Sequence, residues 1–242
     1  MMKVIIVEDY KEMSKIAAQM IKETVVEKPE AVLGLATGST PEGLYSELID
    51  MNKKGEVDFS NVTTVNLDEY IGLDGNNTQS YRYFMNNKLF NHININKEKT
   101  FVPNGMAENI EEEGRNYDKK IDELGGIDVQ ILGIGVNGHI AFNEPDDILI
   151  AGTHKTKLTQ STIEANSRFF DTIEEVPTEA ITMGLGQILK SKKIILLVKG
   201  TNKADVVREL LQGVITTQNP STMLNMHRDV IVIMEKEVHE LI

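Results

Sequence analysis

The sequence has 242 residues, of which 40% are hydrophobic and 26% are charged, and this composition suits one globular domain covering residues 1–242. It contains no cysteine, which excludes disulfides, thiolate metal ligands and cysteine nucleophiles. The net charge of −12 gives no basic surface of the kind that binds nucleic acid, so no nucleic-acid partner is expected.

The chain opens with an apolar run at 4–7, which predicts a buried strand. Acidic residues follow this run directly, and it is too short for a signal-peptide core or a membrane span. No later run approaches spanning length. We therefore expect a cytoplasmic protein without a membrane partner.

Strands and helices are predicted to alternate along the rest of the chain. Short apolar runs predict further strands at 31–36, 62–67, 127–132, 194–198 and 230–234. Longer amphipathic or polar segments predict helices at 13–21, 42–52, 80–90, 108–124 and 203–211. The alternation implies βαβ crossovers, and hence a doubly wound, Rossmann-like α/β fold with a mainly parallel sheet and helices on both faces.

Polar clusters follow the second, third and fourth predicted strands. Segments 68–77 and 133–145 are predicted as loops, and 151–168 as a loop or a lid over the site. Ligands of open α/β sheets bind beyond the carboxyl ends of the strands. The three clusters are therefore expected to form one shared active site.

The first cluster contains Gly38, Ser39 and Thr40, between a predicted strand and a predicted helix. Glycine lets the backbone approach a ligand closely, and Thr40 before Pro41 is a typical N-cap arrangement. Such a turn can cradle a phosphate, although it lacks the Gly-Lys-Ser/Thr sequence of a Walker loop. A capped strand–helix turn without a ligand remains the alternative.

The second cluster contains Asp68 and Glu69, two adjacent acids at the end of an apolar strand. Poor solvation there can tune the pKa of a carboxyl group, so Asp68 is a candidate general base. The alternative is the start of a solvated loop.

The third cluster places His139 five residues before Glu144 in a glycine-rich loop. A carboxylate beside an imidazole sets its tautomer and makes it a candidate proton shuttle. A metal site is the rival interpretation, but one histidine and one glutamate do not supply a convincing ligand set. A structural loop histidine is the other alternative.

Two basic residues, Arg168 and Lys203, are candidates for completing an anion site. A guanidinium suits a phosphate through its fork of donors, and a lysine adds a point charge. The alternative for each is an exposed basic side chain.

Four segments, in this order, resemble the glucosamine-6-phosphate deaminase family over essentially the whole chain. They read LGLATGSTP at 33–41, NLDEY at 66–70, GHIAFNEP at 138–145 and ANSRFF at 165–170. The resemblance implies a doubly wound α/β fold and the reversible conversion of glucosamine 6-phosphate and water to fructose 6-phosphate and ammonia. By this resemblance the reaction requires neither a metal nor a cofactor. The expected partner is a small-molecule substrate.

The resemblance also implies roles for the site residues. His139 would shuttle the proton that opens the sugar ring, with Glu144 orienting and charging it, and Asp68 would move a proton from C2 to C1. The phosphate would be held by Gly38, Ser39, Thr40, Arg168 and Lys203.

Two departures from the family pattern carry expectations of their own. Some members have aspartate where this chain has Asn137, which can hydrogen-bond an imidazole but cannot stabilise its charge as an anion would. Asn137 is expected among the catalytic residues, with a positional role as the alternative. Long members form allosteric hexamers, with basic residues after Asn-Glu-Pro and an extra C-terminal segment that this sequence matches poorly. We expect a non-allosteric enzyme, monomeric or weakly associated.

Two rival functions share the predicted fold. A 6-phosphogluconolactonase would resemble Asp-Glu-Arg in the second motif and Gly-His-Thr-Ala-Ser-Leu-Phe-Pro in the third, whereas this chain has Tyr70 and an Asn143-Glu144-Pro145 sequence. A sugar-phosphate-sensing domain of a repressor would need a helix-turn-helix module, and the sequence begins directly with the first strand. The deaminase is therefore the expected function.

Overall fold

A large parallel sheet forms the centre of the computed structural model, which describes residues 2–167, 170 and 172–242. The strands are β1 (Lys3–Val7), β2 (Val32–Leu35), β3 (Thr63–Asn66), β4 (Asp68–Tyr70), β5 (Thr100–Phe101), β6 (Val129–Gly133), β7 (His154–Lys157), β8 (Glu179–Thr182), β9 (Lys193–Val198) and β10 (Val230–Glu235). Across the described ranges, seven strands pair in parallel in the order β1-β10-β9-β6-β2-β3-β5. The predicted doubly wound α/β fold is confirmed.

Helices cover both faces of this sheet. They are α1 (Tyr10–Glu27), α2 (Glu42–Lys53), α3 (Tyr81–Met85), α4 (Ile110–Glu123), α5 (Gln160–Ser167), α6 (Leu185–Ile188), α7 (Ala204–Leu211) and α8 (Lys236–His239), and α3 continues into a π-helical turn at Asn86–Phe90. Strand β9 shows the division: Ile195 and Leu197 pack with α1 and α2, whereas Leu196 and Val198 pack with α4 and α7. Because side chains alternate along a strand, each central strand contributes to both cores.

The predicted helix of segment 42–52 begins one residue later than its capping pattern suggests. Helix α2 starts at Glu42, Pro41 stands in the cap position with helical φ and ψ, and no side chain caps the helix there. Thr40 is therefore not the N-cap. Helix α1, in contrast, has a clear signal, because the Asp9 carboxylate accepts a hydrogen bond from the Glu12 amide at 2.8 Å.

The first strand is less buried than predicted. Strand β1 lies at the edge of the sheet, where it pairs with β10 alone. Its residues Val4 and Ile6 are 38% and 45% exposed. An apolar run of four residues therefore marked a strand correctly but did not reveal that the strand stands at an edge.

A second, antiparallel sheet was not predicted. It has the order β4-β8-β7. Strand β4 occupies the beginning of the segment predicted as a polar loop, and β7 and α5 occupy most of the segment 151–168 predicted as a loop or lid. The prediction of a loop is wrong for these parts, because strands of sequence Asp-Glu-Tyr and His-Lys-Thr-Lys carry no apolar alternation.

One carboxylate joins the central strands β2, β6 and β9 at their amino ends. Asp128, directly before β6, is 7% exposed. It accepts hydrogen bonds from the Val32 amide at the start of β2 at 2.8 Å, from Lys28 Nζ at 2.9 Å and from Lys192 Nζ at 2.7 Å. Burial raises the pKa of Asp128, but these donors outweigh burial and lower it below the usual range.

Replacing this carboxylate is expected to destabilise the fold without touching the site at the opposite edge of the sheet. We expect Asp128→Ala to lower the free energy of unfolding by about 2 kcal/mol, because a buried donor and two cations lose their acceptor, and to lower Tm by about 4–8 °C. Since the folded pKa is lowered, the difference from wild type should be full at neutral pH and shrink as pH falls below about 4.

The matched control is Asp122→Ala. Asp122 is exposed and lies 3.3 Å from Lys190 Nζ, so its loss should change stability by less than about 0.5 kcal/mol. Urea unfolding at several pH values measures both variants. Equal stability of the two variants at neutral pH would contradict the role given to Asp128.

Candidate active site

The candidate site lies where the strand order of the main sheet reverses. From β2 the chain proceeds outward through β3 and β5, and from β6 it proceeds to the other side through β9 and β10. The crevice beyond the carboxyl ends of β2 and β6 is therefore the topological switch point, where ligands of such sheets bind. A cavity of about 260 Å³ opens there, close to the lower end of small-molecule sites.

The structure brings most of the predicted site residues to this cavity. Its lining includes Gly38, Ser39, Thr40, Asp68, His139 and Lys203. These residues follow β2, β3, β6 and β9, so the structure brings them together at the strand ends, and their service as one active site stays a prediction. Arg168 lies outside the described residues.

The two adjacent acids of the second cluster face opposite ways. Because side chains alternate along a strand, Asp68 and Tyr70 in β4 line the cavity, whereas Glu69 points to the other side. Glu69 accepts hydrogen bonds from the amides of Tyr70, Tyr81 and Arg82 at 2.8–3.0 Å. Glu69 therefore holds the start of α3, and Asp68 is the acid that faces a ligand.

Burial and a neighbouring charge tune Asp68. The residue is 6% exposed, and among the described groups none donates a hydrogen bond to its carboxylate. Burial, with a smaller contribution from the negative charge of Glu69, raises the pKa of Asp68 to about 8. A carboxyl group whose pKa lies near neutral pH is suited to taking up and returning a proton.

His139 and Glu144 form the pair that the sequence predicted. His139 Nδ1 lies 3.2 Å from Glu144 Oε2, so a protonated Nδ1 donates to the carboxylate and leaves Nε2 as an acceptor. The imidazole also packs on Gly135, where a Cβ would come within 2.5 Å of the ring. A glycine at 135 is therefore needed for the ring to lie where it does.

Asn137 supports this pair from behind the cavity. Its Nδ2 donates to Glu144 Oε2 at 2.6 Å, and its Oδ1 accepts from the His139 backbone amide at 3.2 Å. Asn137 and Glu144 are both absent from the cavity lining. Among the described contacts, Asn137 hydrogen-bonds the carboxylate and the backbone of the pair, and not the imidazole as the sequence suggested.

Thr162 is a site residue that sequence reasoning missed. It lies in α5, lines the cavity and donates a short hydrogen bond to Glu144 Oε1. Burial raises the pKa of Glu144, but the hydrogen bond and charge of His139, with hydrogen bonds from Thr162 and Asn137, outweigh burial and lower it to about 2. No local motif marks Thr162, because its partner is 18 residues away.

Aromatic side chains form another wall of the cavity that the sequence did not reveal. The rings of Tyr81 and Phe142 stack at 6.1 Å, and Tyr70 contacts both of them and Phe170. The Tyr70 hydroxyl accepts a hydrogen bond from Asn166 in α5 at 2.9 Å. Helix α5 is thereby joined to both sides of the site, at Glu144 and at Tyr70.

The described residues hold neither a metal-binding cluster nor a membrane-spanning helix. In residues 2–167, 170 and 172–242, no three histidine or acidic side chains come together as they would around a metal ion. Within the same ranges, no helix has the length and apolar character to cross a membrane.

Comparison with known proteins gives first the family of the chain and then similar relatives of known name. A family model described as glucosamine-6-phosphate isomerases/6-phosphogluconolactonase matches residues 8–233, and the chain belongs to that family of enzymes. It is 67% identical to the glucosamine-6-phosphate deaminase of Clostridium beijerinckii over 98% of both chains. It is 58% identical to that of Clostridium perfringens over 100% of both chains.

Solved structures agree with this placement. A monomeric glucosamine-6-phosphate deaminase superposes with a TM-score of 0.97 and 46% identity, over 100% of both chains. The 6-phosphogluconolactonase of Trypanosoma brucei has a TM-score of 0.77 at 17% identity, over 99% of this chain and 98% of that one, which shows a shared fold alone. The family resemblance predicted from four motifs is confirmed.

The hydroxyl of Thr162 is expected to hold Glu144 in its ionised form. Thr162→Val leaves Oε1 of a buried carboxylate without its donor, so the pKa of Glu144 should rise above about 2, while His139 and Asn137 still hold it below its usual range. Thr162→Ser keeps a hydroxyl and should restore the low pKa. Carboxyl 13C NMR across pH measures the shift, and an unchanged Glu144 titration in the valine variant would contradict the assignment.

Proposed function

We propose that this protein converts glucosamine 6-phosphate and water to fructose 6-phosphate and ammonia, reversibly. One observation carries the proposal: a buried carboxyl group poised near neutral pH, Asp68, shares a small cavity with an imidazole backed by a carboxylate. The names of the close relatives support the same substrate. The reaction moves protons, water and ammonia, so it requires neither a hydride carrier nor a phosphoryl-transfer metal.

His139 is the residue proposed to open the sugar ring. A cyclic hemiacetal opens when the C1 hydroxyl loses a proton and the ring oxygen gains one. The Nε2 atom can accept and then deliver that proton while Nδ1 faces Glu144. The ionised Glu144 stabilises the imidazolium formed between the two events, and Asn137 holds Glu144 in place.

Asp68 is the residue proposed to isomerise the open chain. The C1 aldehyde makes the C2 proton acidic, and the Asp68 carboxylate takes this proton while the substrate's own ammonium group passes a proton to the aldehyde oxygen, which gives an enolamine. Returning the proton to C1 gives a C2 imine. One carboxylate serves both carbons because they are adjacent and face it together. Water then adds to C2, and ammonia leaves to give the ketone.

The phosphate of the substrate is proposed to bind beyond β2 and β9. Gly38 has a φ of +90°, which favours glycine and lets the loop turn sharply. Ser39, Thr40 and Lys203 line the same cavity and offer hydroxyl, amide and ammonium donors. Arg168 joins this set on the family resemblance.

The lactonase alternative is less well supported by the site. Hydrolysis of a lactone needs no base at C2, and the buried Asp68 would then have no role in the chemistry. A sensing domain would bind the sugar phosphate without turning it over. Both alternatives predict that no ammonia is released.

The decisive measurement compares ammonia and fructose 6-phosphate formation by wild type, Asp68→Asn and Asp147→Asn. Loss of the base should lower kcat by a factor of about 10²–10⁴. Asp147 is an exposed residue in the loop after Glu144, so the same chemical change there should leave the rate within about twofold. If wild type binds the sugar phosphate without releasing ammonia, the sensing alternative replaces the deaminase.

The loss of activity in Asp68→Asn should accompany a gain in stability. The unfolded aspartate ionises near pH 3.9, whereas in the folded protein Asp68 ionises near pH 8. Stability of wild type therefore falls as pH rises between these values. At pH 8 the asparagine variant should be more stable by on the order of 5 kcal/mol, and the difference should vanish toward pH 4. A less stable variant at pH 8 would mean that Asp68 is structural.

A monomer with hyperbolic kinetics is the proposed state of the enzyme. The relative with a TM-score of 0.97 is itself a monomeric deaminase. Analytical ultracentrifugation should give a single species near 27.1 kDa, and substrate saturation should show no sigmoidal phase without activator. A stable hexamer with sigmoidal kinetics would overturn this proposal. A cytoplasmic location is proposed on the same relationship.

A further inference from the structure

We propose that Tyr10 is a positioning residue for phosphate binding, because its side chain joins the two loops that carry Ser39, Thr40 and Lys203. This inference rests on the proposed phosphate site. Tyr10 itself is not part of the cavity lining. It lies in the first turn of α1, on the far side of the loop after β2, and acts through that loop.

The Tyr10 hydroxyl is bonded on both sides of the loop between β2 and α2. It lies 3.0 Å from the carbonyl oxygens of both Ser39 and Thr40, to which it donates, and it accepts from the Gly43 amide at 2.7 Å. One proton shared between two carbonyls is a three-centre hydrogen bond. The hydroxyl thus holds three backbone groups around the start of α2, the carbonyls of Ser39 and Thr40 and the amide of Gly43.

This arrangement suits an anion site because it controls where the loop's carbonyls point. Lone pairs of a carbonyl oxygen repel a phosphate, whereas N–H groups attract it. In a planar trans peptide the C=O and the following N–H point in opposite directions. Holding the Ser39 oxygen toward Tyr10 therefore turns the Thr40 N–H away from Tyr10, and it draws two carbonyl oxygens back from the ligand.

The ring of Tyr10 contacts the second loop. Lys199 Nζ lies 3.7 Å from the ring centroid, a cation–π distance, at the end of β9 and four residues before Lys203. The same loop is anchored from the other side, where Glu235 accepts from the Gly200 amide at 2.9 Å. Hydroxyl and ring therefore act on different loops, and different substitutions can separate their effects.

The fit of Tyr10 against α2 is close. A Cβ on Gly43 would come within 3.0 Å of the Tyr10 ring and 2.3 Å of Ser14 Oγ, so there is no space for the ring to shift toward the helix. Phenylalanine fills the same volume as tyrosine without the hydroxyl. Tyr10→Phe therefore removes the hydrogen bonds while keeping the packing and the contact with Lys199.

The test measures affinity for inorganic phosphate by calorimetry, and KM and kcat for glucosamine 6-phosphate, in wild type and Tyr10→Phe. We expect the Kd of phosphate and KM to rise together by about five- to tenfold, with kcat within about twofold, which is the pattern of lost uniform binding. Tyr10→Leu also removes the ring over Lys199 and should weaken phosphate binding further. Tyr83→Phe is the control, since Tyr83 is exposed and does not line the cavity.

The outcomes separate this inference from the proposed function. A Tyr10→Phe variant with a lower Tm but unchanged phosphate Kd and KM would reduce Tyr10 to a packing residue, while wild-type turnover would leave the deaminase in place. Absence of turnover in wild type would overturn the deaminase, and the phosphate titration would still judge Tyr10. Absence of phosphate binding in wild type would overturn the role of Tyr10 as well.

Discussion

The burial of Asp68 follows from how the chain passes between the two sheets. The chain leaves the parallel sheet after β3 and, with Leu67 between, enters the antiparallel sheet at Asp68. Across this junction the Met183 amide donates a hydrogen bond to the Leu67 carbonyl at 2.7 Å. Residues at such a junction are enclosed by both sheets, and a carboxyl group there loses much of its hydration. The same passage fixes the alternation that turns Asp68 toward the cavity and Glu69 toward α3. Of these two adjacent residues, Asp68 therefore has a raised pKa and faces the cavity, whereas Glu69 holds the start of α3.

The pKa values of two carboxyl groups in the site, Asp68 and Glu144, are shifted in opposite directions by their surroundings. Burial raises the pKa of Asp68 to about 8, whereas donors from His139, Thr162 and Asn137 hold that of Glu144 near 2. A pair separated in this way divides the work of proton transfer, because one group exchanges protons near neutral pH and the other stays charged. Of the two carboxyl groups, Asp68 is therefore the one suited to exchanging a proton with a ligand, and Glu144 the one suited to stabilising a charge on His139.

The sequence was sufficient for six of the seven described strands of the main sheet and for bringing most predicted site residues to one place, but it missed the two-residue edge strand β5. Apolar runs marked the central strands because those strands are buried on both faces, and the polar clusters after them had to meet at one edge of a parallel sheet. The antiparallel sheet could not be predicted, since its edge strands β4 and β7 are polar. The pairing of β4 with β8 also joins segments more than a hundred residues apart, as with Asp68 and Thr182. For the same reason Thr162, Tyr70 and Tyr10 escaped prediction: each acts through a tertiary contact, with no signal in neighbouring residues.

The amino ends and the carboxyl ends of the central strands are stabilised by different means, and this difference suits the function. At the amino ends of the strands, Asp128 directly precedes β6 and accepts hydrogen bonds from Val32, the first residue of β2, and from Lys28 and Lys192, which precede β2 and β9. At the carboxyl edge, the loops must remain open to a ligand, so they are held from outside the cavity. The loop after β6 is anchored where Asn143 donates to the carbonyls of Ile140 and Met183, and the loop after β2 is held by Tyr10. Residues that contact the loops from outside the cavity fix the geometry of the ligand-facing groups without occupying the cavity. A small cavity with several converging polar groups requires this arrangement.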